Sequence, residues 1–552
     1  MSYHADPDVL STASQPTSPI LTRRSLLGGA VIATLGGAAA LGGCAPTPSR
    51  DTTPQDSAPS MDSTAPRDID REESVDIVVA GSGTAGTCAA VRAAELGAKV
   101  LCLEKLNFLG GTSSITEYMS GVNNPLQIEA GLEIDPAVPF RAIMDFENWG
   151  ALGEVVWEFM TKSGETIEWL QQTGVQFTAD YTALNIMPEL RYCLTGSVNG
   201  SYARNGDTVL APLRDFGAQF GDKLEFRTNC PVTDLVIEEG KISGVYATDA
   251  DGAVIKINAK AVIFCSGGFS SNSELYERML LRPYDDIHFF GFEGRDGDAL
   301  RLAEPLGARL QAPSVLNYSL VSAVEGVPGF DDEVNVWFGS YPLLYVNAKG
   351  ERFMDEGLTA SMNPAPRNIA IMGAGICYGI ADEAKVAAWD DMGAYNWGTG
   401  ATPGTLRESI ERCEGIIVAD TLEELADKLA IDAATLRATV DTWNAIAQGA
   451  SDPLYQTSPE VAAQDPIGEG PYYAARLRAS SYGTGGGLST NASFQVIRED
   501  RTPIEGLYAA GTDNGSAYYN DYPMPVFASF QQGFCATSGR LAAEHAVKSY
   551  MK

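Results

Sequence analysis

The chain has 552 residues, of which 45% are hydrophobic, and a formal net charge of −33. That composition excludes a disordered chain and provides for two or three domains around a large core. The charge argues against nucleic acid as a partner. Nine cysteines, none in a CxxC or CxxCH spacing, and three histidines (His4, His288, His545) encode no local haem, iron–sulfur or zinc site.

The N-terminal stretch "TRRSLLGGAVIATLGGAAALGGCAP" sets Arg23-Arg24 before a small-residue apolar run that ends at Cys44. It resembles a twin-arginine export signal, and Leu41-Gly42-Gly43-Cys44 resembles a lipobox. Residues 1–44 are therefore expected to direct export and lipidation at Cys44, with plain cleavage or retention as the alternatives. Glycines interrupt the run and no basic flank follows it, which argues against a spanning helix. Residues 45–71, rich in Pro, Ser, Thr and Asp, read as a flexible linker. The expected location is the outer face of the cell membrane or another extracytoplasmic site, with the lipid anchor as the membrane contact.

"VDIVVAGSGTAGTCAAVRAAELGAKVLCLEK" (75–105) reads strand, tight turn, helix, strand. Gly81-Ser82-Gly83-Thr84-Ala85-Gly86 is GxGxxG in the context that makes the motif specific, and Glu104 ends the second strand about 20 residues on. Gly81 permits the turn, Gly83 lets backbone approach a pyrophosphate, and Gly86 lets helix and strand pack closely. Phosphates then sit on the helix N-terminus. "LGGTSSITEYMSG" (109–121) is a Gly/Ser/Thr loop. Residues 224–269 alternate in strand fashion and end in Ser266-Gly267-Gly268. "EGRDGDALRLAEPLGA" (293–308) turns into a helix. From about 310 to 475 the pattern is mixed. "GTGGGLSTNASFQVI" and "TPIEGLYAAGT" return to strands, and a helix is predicted after Pro525.

Six motifs, "VVAGSGTAG…LEK", "GGTS", "KAVIFCSGG", "GDALRLAEPLGA", "YVNAKGERFMDE" and "GLYAAGT", resemble the flavoprotein family that holds soluble fumarate reductases, urocanate-type reductases and 3-ketosteroid dehydrogenases. The resemblance covers about residues 72–552. It implies an α/β fold: a Rossmann-like FAD-binding domain, discontinuous over 72–275 and 476–552, with an inserted α+β cap over 276–475. It implies FAD along Gly81, Gly83, Thr84, Ala85, Gly86, Glu104, Lys105, Gly110, Gly111, Thr112 and Ser113. Val232 would meet the adenine, and Gly267, Asp298, Gly511 and Asp513 would approach the phosphates or ribityl chain. It implies no metal.

The fumarate-reducing branch places an arginine four residues after the Glu of its "GERFxNE" motif; here that position is Ala360. The branch's "HG…NR" region reads "GSAYYNDYPMPV" (515–526), with no His and no Arg. A dicarboxylate would lack cations there, and burying carboxylates without them is costly. The ketosteroid branch pairs a tyrosine with a glycine four residues later to hold a ketone oxygen. Tyr522 matches the tyrosine, and Val526 departs from the glycine but keeps a backbone N–H. A phenol and an N–H form an oxyanion hole for an enolate. Tyr518 and Tyr519 read as packing residues, and His288 as a structural histidine. Tyr341, in the cap, is the candidate proton donor, with a plain cap residue as the alternative; Arg352 and Glu356 stand behind it, with a surface or buried ion pair as theirs.

The resemblance thus implies an exported FAD-dependent oxidoreductase that reduces or forms a carbonyl-activated C=C bond in a neutral, cyclic or aromatic substrate such as an enone. One alternative is a urocanate- or cinnamate-type enoate reductase, its carboxylate on Arg352 or Arg367. Another is a flavin lipoprotein that relays electrons without catalysis. The expected partners are a small-molecule substrate and a separate electron carrier, such as a c-type cytochrome or a membrane quinol-linked protein.

Overall fold

The apolar run Ile77–Ala80 forms a strand, β1, with every residue buried. Burial on both faces is why it reads as continuous hydrophobics instead of alternating. After the turn at Gly81, helix α1 (Thr84–Glu95) leads to β2 (Val100–Leu103), which pairs with β1 in parallel, Val79 opposite Cys102. β3 (Leu224–Arg227) extends the sheet beyond β2, and β4 (Ala261–Phe264) lies on the other side of β1. β5 (Pro503–Ala509) pairs with β4 in parallel, and Gln495–Ile497 closes the edge antiparallel. The order across the sheet is Gln495–Ile497, β5, β4, β1, β2, β3. The dinucleotide-binding half is therefore assembled from two distant pieces of chain.

Side chains alternate across this sheet. Ile77, Val79, Cys102 and Ile263 join one core with α1 and the C-terminal helix α2 (Phe530–Tyr550). Val78, Leu101, Val262 and Phe264 join another, which reaches the mixed four-stranded sheet of Arg71–Ser74, Val254–Asn258, Lys241–Thr248 and Val232–Glu238, its first pair parallel and the others antiparallel. α1 can lie against the turn only because Gly86 has no side chain: a Cβ there would fall 1.8 Å from the Gly81 carbonyl oxygen.

The inserted cap has its own seven-stranded sheet. Its axis is the long strand Tyr472–Thr484, which pairs antiparallel with Cys377–Asp382, Ile416–Ala419, Leu316–Tyr318 and Ala323–Val324. The expected domain boundary at 475/476 falls inside this strand, and the one at 275/276 falls inside the helix Ser273–Leu280.

The computed structural model describes residues 68–116, 119–180, 192–195, 207–327, 329, 332–361, 363–393, 403–527 and 529–551. Arg23, Arg24 and Cys44, and with them the expected signal and nearly all of the linker, lie outside these. No described helix is long and apolar enough to cross a membrane. Among the described residues no cluster of His, Cys, Asp or Glu could hold a metal ion.

The C-terminal helix follows Pro525, as expected, but starts only at Phe530 and not directly at the proline. The Pro523 carbonyl accepts the N–H groups of Val526 (3.1 Å) and Phe527 (2.7 Å), which closes a turn. Ser529, with φ 59°, then resets the chain direction before α2 starts.

Candidate active site

A cavity of about 290 Å³ opens at the carboxyl ends of the parallel strands. Ala80, Leu103 and Phe264, the last residues of β1, β2 and β4, line it, and Ala510 follows β5 into it. This is where open α/β sheets bind ligands, because the loops and helix N-termini converge there.

Most of the residues assigned to a cofactor from sequence meet on its wall. Gly81, Gly83, Thr84, Ala85, Glu104, Lys105, Gly110, Gly111, Thr112, Ser113, Val232, Gly267, Asp298 and Gly511 all line the cavity. Glu104 is buried beneath the glycine turn. Its carboxylate accepts from the Ser82 N–H (3.0 Å), the Ser82 hydroxyl (2.7 Å) and the Leu106 N–H (2.9 Å), so its position is fixed. Ser113 Oγ accepts the Thr84 N–H at 3.0 Å, at the first turn of α1. Lys105 pairs with Asp298 and, at 2.8 Å, with Asp296.

Two residues of the predicted set are placed otherwise. Gly86 is buried under the turn, as its packing requires. Asp513 is buried behind the wall, where its carboxylate accepts the Ser266 N–H, the Ser266 hydroxyl (2.9 Å) and the Gly268 N–H (3.0 Å). Asp513 shapes the loop that carries Gly267 and does not itself face the cavity. Burial raises its pKa to about 6 against the pull of those donors.

The cavity fits FAD. A Cβ added at Gly111 (φ 48°) would meet nothing within 4 Å, so backbone is bared to the space. The first turn of α1 presents N–H groups where a pyrophosphate is stabilised. Glu104 would hold the adenosine ribose, Val232 and Pro231 the adenine, and the Gly267 loop and Gly511 the remainder.

The catalytic candidates divide. Tyr522 lines the cavity, and its Oη accepts the Gln531 N–H at 3.2 Å from the first turn of α2. Val526 does not line the cavity, and its N–H is spent on Pro523, so it is no oxyanion donor. Tyr341 lies in an aromatic cluster of the cap, 5.1 Å from Trp337 and 5.5 Å from Trp389 between ring centroids, away from the cavity. Arg352 is buried in the cap, bound to Glu356 (2.8 Å) and Asp452 (2.9 Å) and stacked on Trp443 and Tyr455. It closes a buried ion network and reaches no ligand space. Arg367, fully buried, donates to the Ser319 carbonyl at 2.9 Å and also lies off the wall. His288 packs edge-on against Phe290 at 4.9 Å and is not on the wall. Tyr518 is buried, its hydroxyl on Gln531, while Tyr519 is 55% exposed.

Sequence reading missed Phe290, Arg295, Asn317, Leu320, Val321 and Tyr482, all on the wall. Arg295 alone carried a signal, as the lone cation in the glycine-rich "EGRDGDA".

The segment leading to Tyr522 is held by Glu147, a fully buried carboxylate that accepts the Tyr519 N–H (2.8 Å) and the Asn520 N–H (2.7 Å). Burial raises its pKa to about 7, against those two hydrogen bonds. The folded protein therefore keeps a proton that the unfolded chain releases from about pH 4.5 upward. Stability from this group is full below about pH 4.5 and falls until about pH 7, by about 3 kcal/mol. E147Q, which mimics the protonated form, is expected to melt like wild type at pH 5 and at higher temperature than wild type at pH 8. Parallel melting curves across that range would contradict this.

The FAD binding domain family model matches residues 76–524. The chain is 26% identical to vinyl phenol reductase of Lactiplantibacillus plantarum over 87% of this chain and 97% of that protein. It is 28% identical to urocanate reductase of Eggerthella lenta over 80% of this chain and 70% of that protein. Its fold matches 3-ketosteroid delta1-dehydrogenase from Sterolibacterium denitrificans, solved with 1,4-androstadiene-3,17-dione, with TM-score 0.69 and 22% identity over 86% of this chain and 100% of that one. With the glycine turn, Glu104 and the bared backbone of Gly111 meeting in one cavity, the chain belongs to the FAD binding domain family and is an FAD-dependent oxidoreductase of the kind that acts on carbon–carbon double bonds.

Proposed function

We propose that the protein reduces, or in reverse forms, a carbonyl-activated C=C bond in a neutral, cyclic or aromatic molecule such as an enone. The observation that carries this reading is the composition of the wall around Tyr522. Phe290, Leu320, Val321 and Met524 are apolar or aromatic, and Asn317 and Gln531 are neutral. Among the described residues on the wall the cations are Lys105 and Arg295. Lys105 is neutralised by aspartates, and Arg295 is held by backbone carbonyls. An arginine pair that would clamp a dicarboxylate is absent from these residues. One relative is named for a vinyl phenol, an uncharged aromatic alkene.

Bound FAD supplies the hydride-transferring redox centre. Tyr522 donates a hydrogen bond from its phenol, keeping its proton, to the substrate oxygen on which charge gathers. The Gln531 N–H behind it, at the positive end of α2, supports the negative charge shared onto that phenol. Tyr482 is the other phenol on the wall, and it takes the proton-donor role that Tyr341 was expected to fill. The apolar side chains exclude water from both.

Electrons reach the cofactor from a separate carrier, such as a c-type cytochrome or a quinol-linked protein. The absence of CxxCH and CxxC spacings in this sequence supports that arrangement. The Arg23-Arg24 and Cys44 pattern supports export and anchoring outside the cytoplasm.

Anaerobic reoxidation of the dithionite-reduced protein tests the substrate class. Cyclic and aromatic enones are expected to restore the oxidised spectrum, and fumarate is not. Reoxidation by fumarate but by no enone would sink the proposal. Reoxidation by cinnamate-type acids alone would move it to the enoate reading, with Arg295 as the cation.

A further inference from the structure

A guanidinium buried without an anion is costly, and on a cavity wall that cost is offset when a bound group brings negative charge to it. Arg295 is of this kind. It is 9% exposed in the cavity wall. Its Nε donates to the Phe292 carbonyl at 3.2 Å, Nη2 to the Phe290 carbonyl at 3.0 Å, and Nη1 to the Tyr482 carbonyl. These acceptors are neutral, so they fix the group without cancelling its charge. No carboxylate among the described residues forms an ion pair with it. Glu293 is exposed and makes none, Asp296 and Asp298 are engaged by Lys105, and Glu104 is bound to Ser82 and Leu106.

The fold clears a slot for this one side chain. Gly267, Gly291 and Gly483 have φ of 101°, 108° and 159°, and a Cβ on each would come within 3.3, 3.3 and 3.0 Å of Arg295 atoms. Three glycines from three separate segments thus converge on the guanidinium and its stem. Burial lowers the pKa of Arg295 to about 10, which leaves it charged at neutral pH.

We propose that Arg295 tunes the cofactor: its uncompensated charge in the wall stabilises FAD after uptake of two electrons and one proton, when the ring system carries one negative charge. The oxidised ring is neutral, so the cation favours the reduced form and raises the reduction potential. The electrons come from a one-electron carrier in the cell and from dithionite in the test. The inference rests on the cofactor and not on the substrate proposed above. Arg295 acts here through its field and is not a catalytic residue.

The experiment compares holoenzymes of wild type, R295K and R295Q. The potential is read against a reference dye during dithionite reduction. Sulfite affinity is read separately, because its flavin adduct is also anionic and needs no electrons. R295Q keeps amide donors for the carbonyls but lacks the charge. It is expected to shift the reduced-to-oxidised balance 10- to 100-fold, about 30 to 60 mV lower, and to weaken sulfite binding in parallel. R295K is expected to stay close to wild type in both. An unchanged potential in R295Q would overturn the proposal, as would R295K falling as far as R295Q. Should R295Q fail to retain FAD, the ultraviolet absorbance of the reduced wild-type protein at pH 6 decides. The anionic form upholds the proposal, and the neutral form overturns it.

Discussion

Y522F is expected to lower the rate of reoxidation by an enone about 10²- to 10³-fold, with FAD still bound and KM little changed. The ring of Tyr522 packs in the core that includes Phe527 and Phe530, and phenylalanine keeps that packing. What it removes is the hydroxyl on the cavity wall and the acceptor for the Gln531 N–H. The first loss removes a donor aimed at an oxygen whose charge is larger in the transition state than in the ground state, so it falls on kcat. The second leaves one backbone N–H without its partner, at about 1–3 kcal/mol of stability. Rapid mixing of the reduced variant with substrate measures the rate, and the flavin absorbance of the purified protein checks occupancy. A variant as fast as wild type would remove Tyr522 from the reaction.

D513A is expected to lose FAD at purification concentrations, with affinity weakened at least about a hundredfold. The Asp513 carboxylate satisfies two backbone N–H groups and a hydroxyl in the Ser266–Gly268 loop. That loop carries Gly267 onto the cavity wall. Alanine leaves these donors without a partner in a buried place, at about 1–3 kcal/mol each. The loop then relaxes, and the cofactor surface it forms is lost. Every 1.4 kcal/mol of that cost, if charged to binding, is tenfold in affinity. Fluorescence titration of the apoprotein with FAD gives the constant. Wild-type affinity in D513A would show that the loop holds its shape without the carboxylate. The contrast with Y522F is informative: one variant keeps the cofactor and loses the reaction, the other loses the cofactor.

The cofactor half of the site was legible because its signals are local. A turn that needs Gly81 at φ 102°, a helix that needs Gly86 bare, and an acid about 20 residues on are written within 31 residues (75–105). The substrate half was legible only in part. Tyr522, singled out by its fixed offset within a motif, lines the cavity. Val526, Tyr341 and Arg352 were misplaced because their partners are distant in sequence. Nothing near Val526 announces that Pro523 will take its N–H, and nothing near Arg352 announces Asp452, 100 residues away. Phe290, Arg295 and Tyr482 come together only because Ile287–Phe289 and the strand Tyr472–Thr484 pair in parallel. Three tyrosines in one short stretch met three different fates: buried, exposed and cavity-lining.

The sequence by itself determined the family, the cofactor, the parallel sheet and the place of the glycine turn, because each rests on backbone constraints that neighbouring residues impose. Only the tertiary structure decided which side chains line the cavity and which cation on its wall is left without an anion. Those depend on which groups, far apart along the chain, satisfy one another once buried.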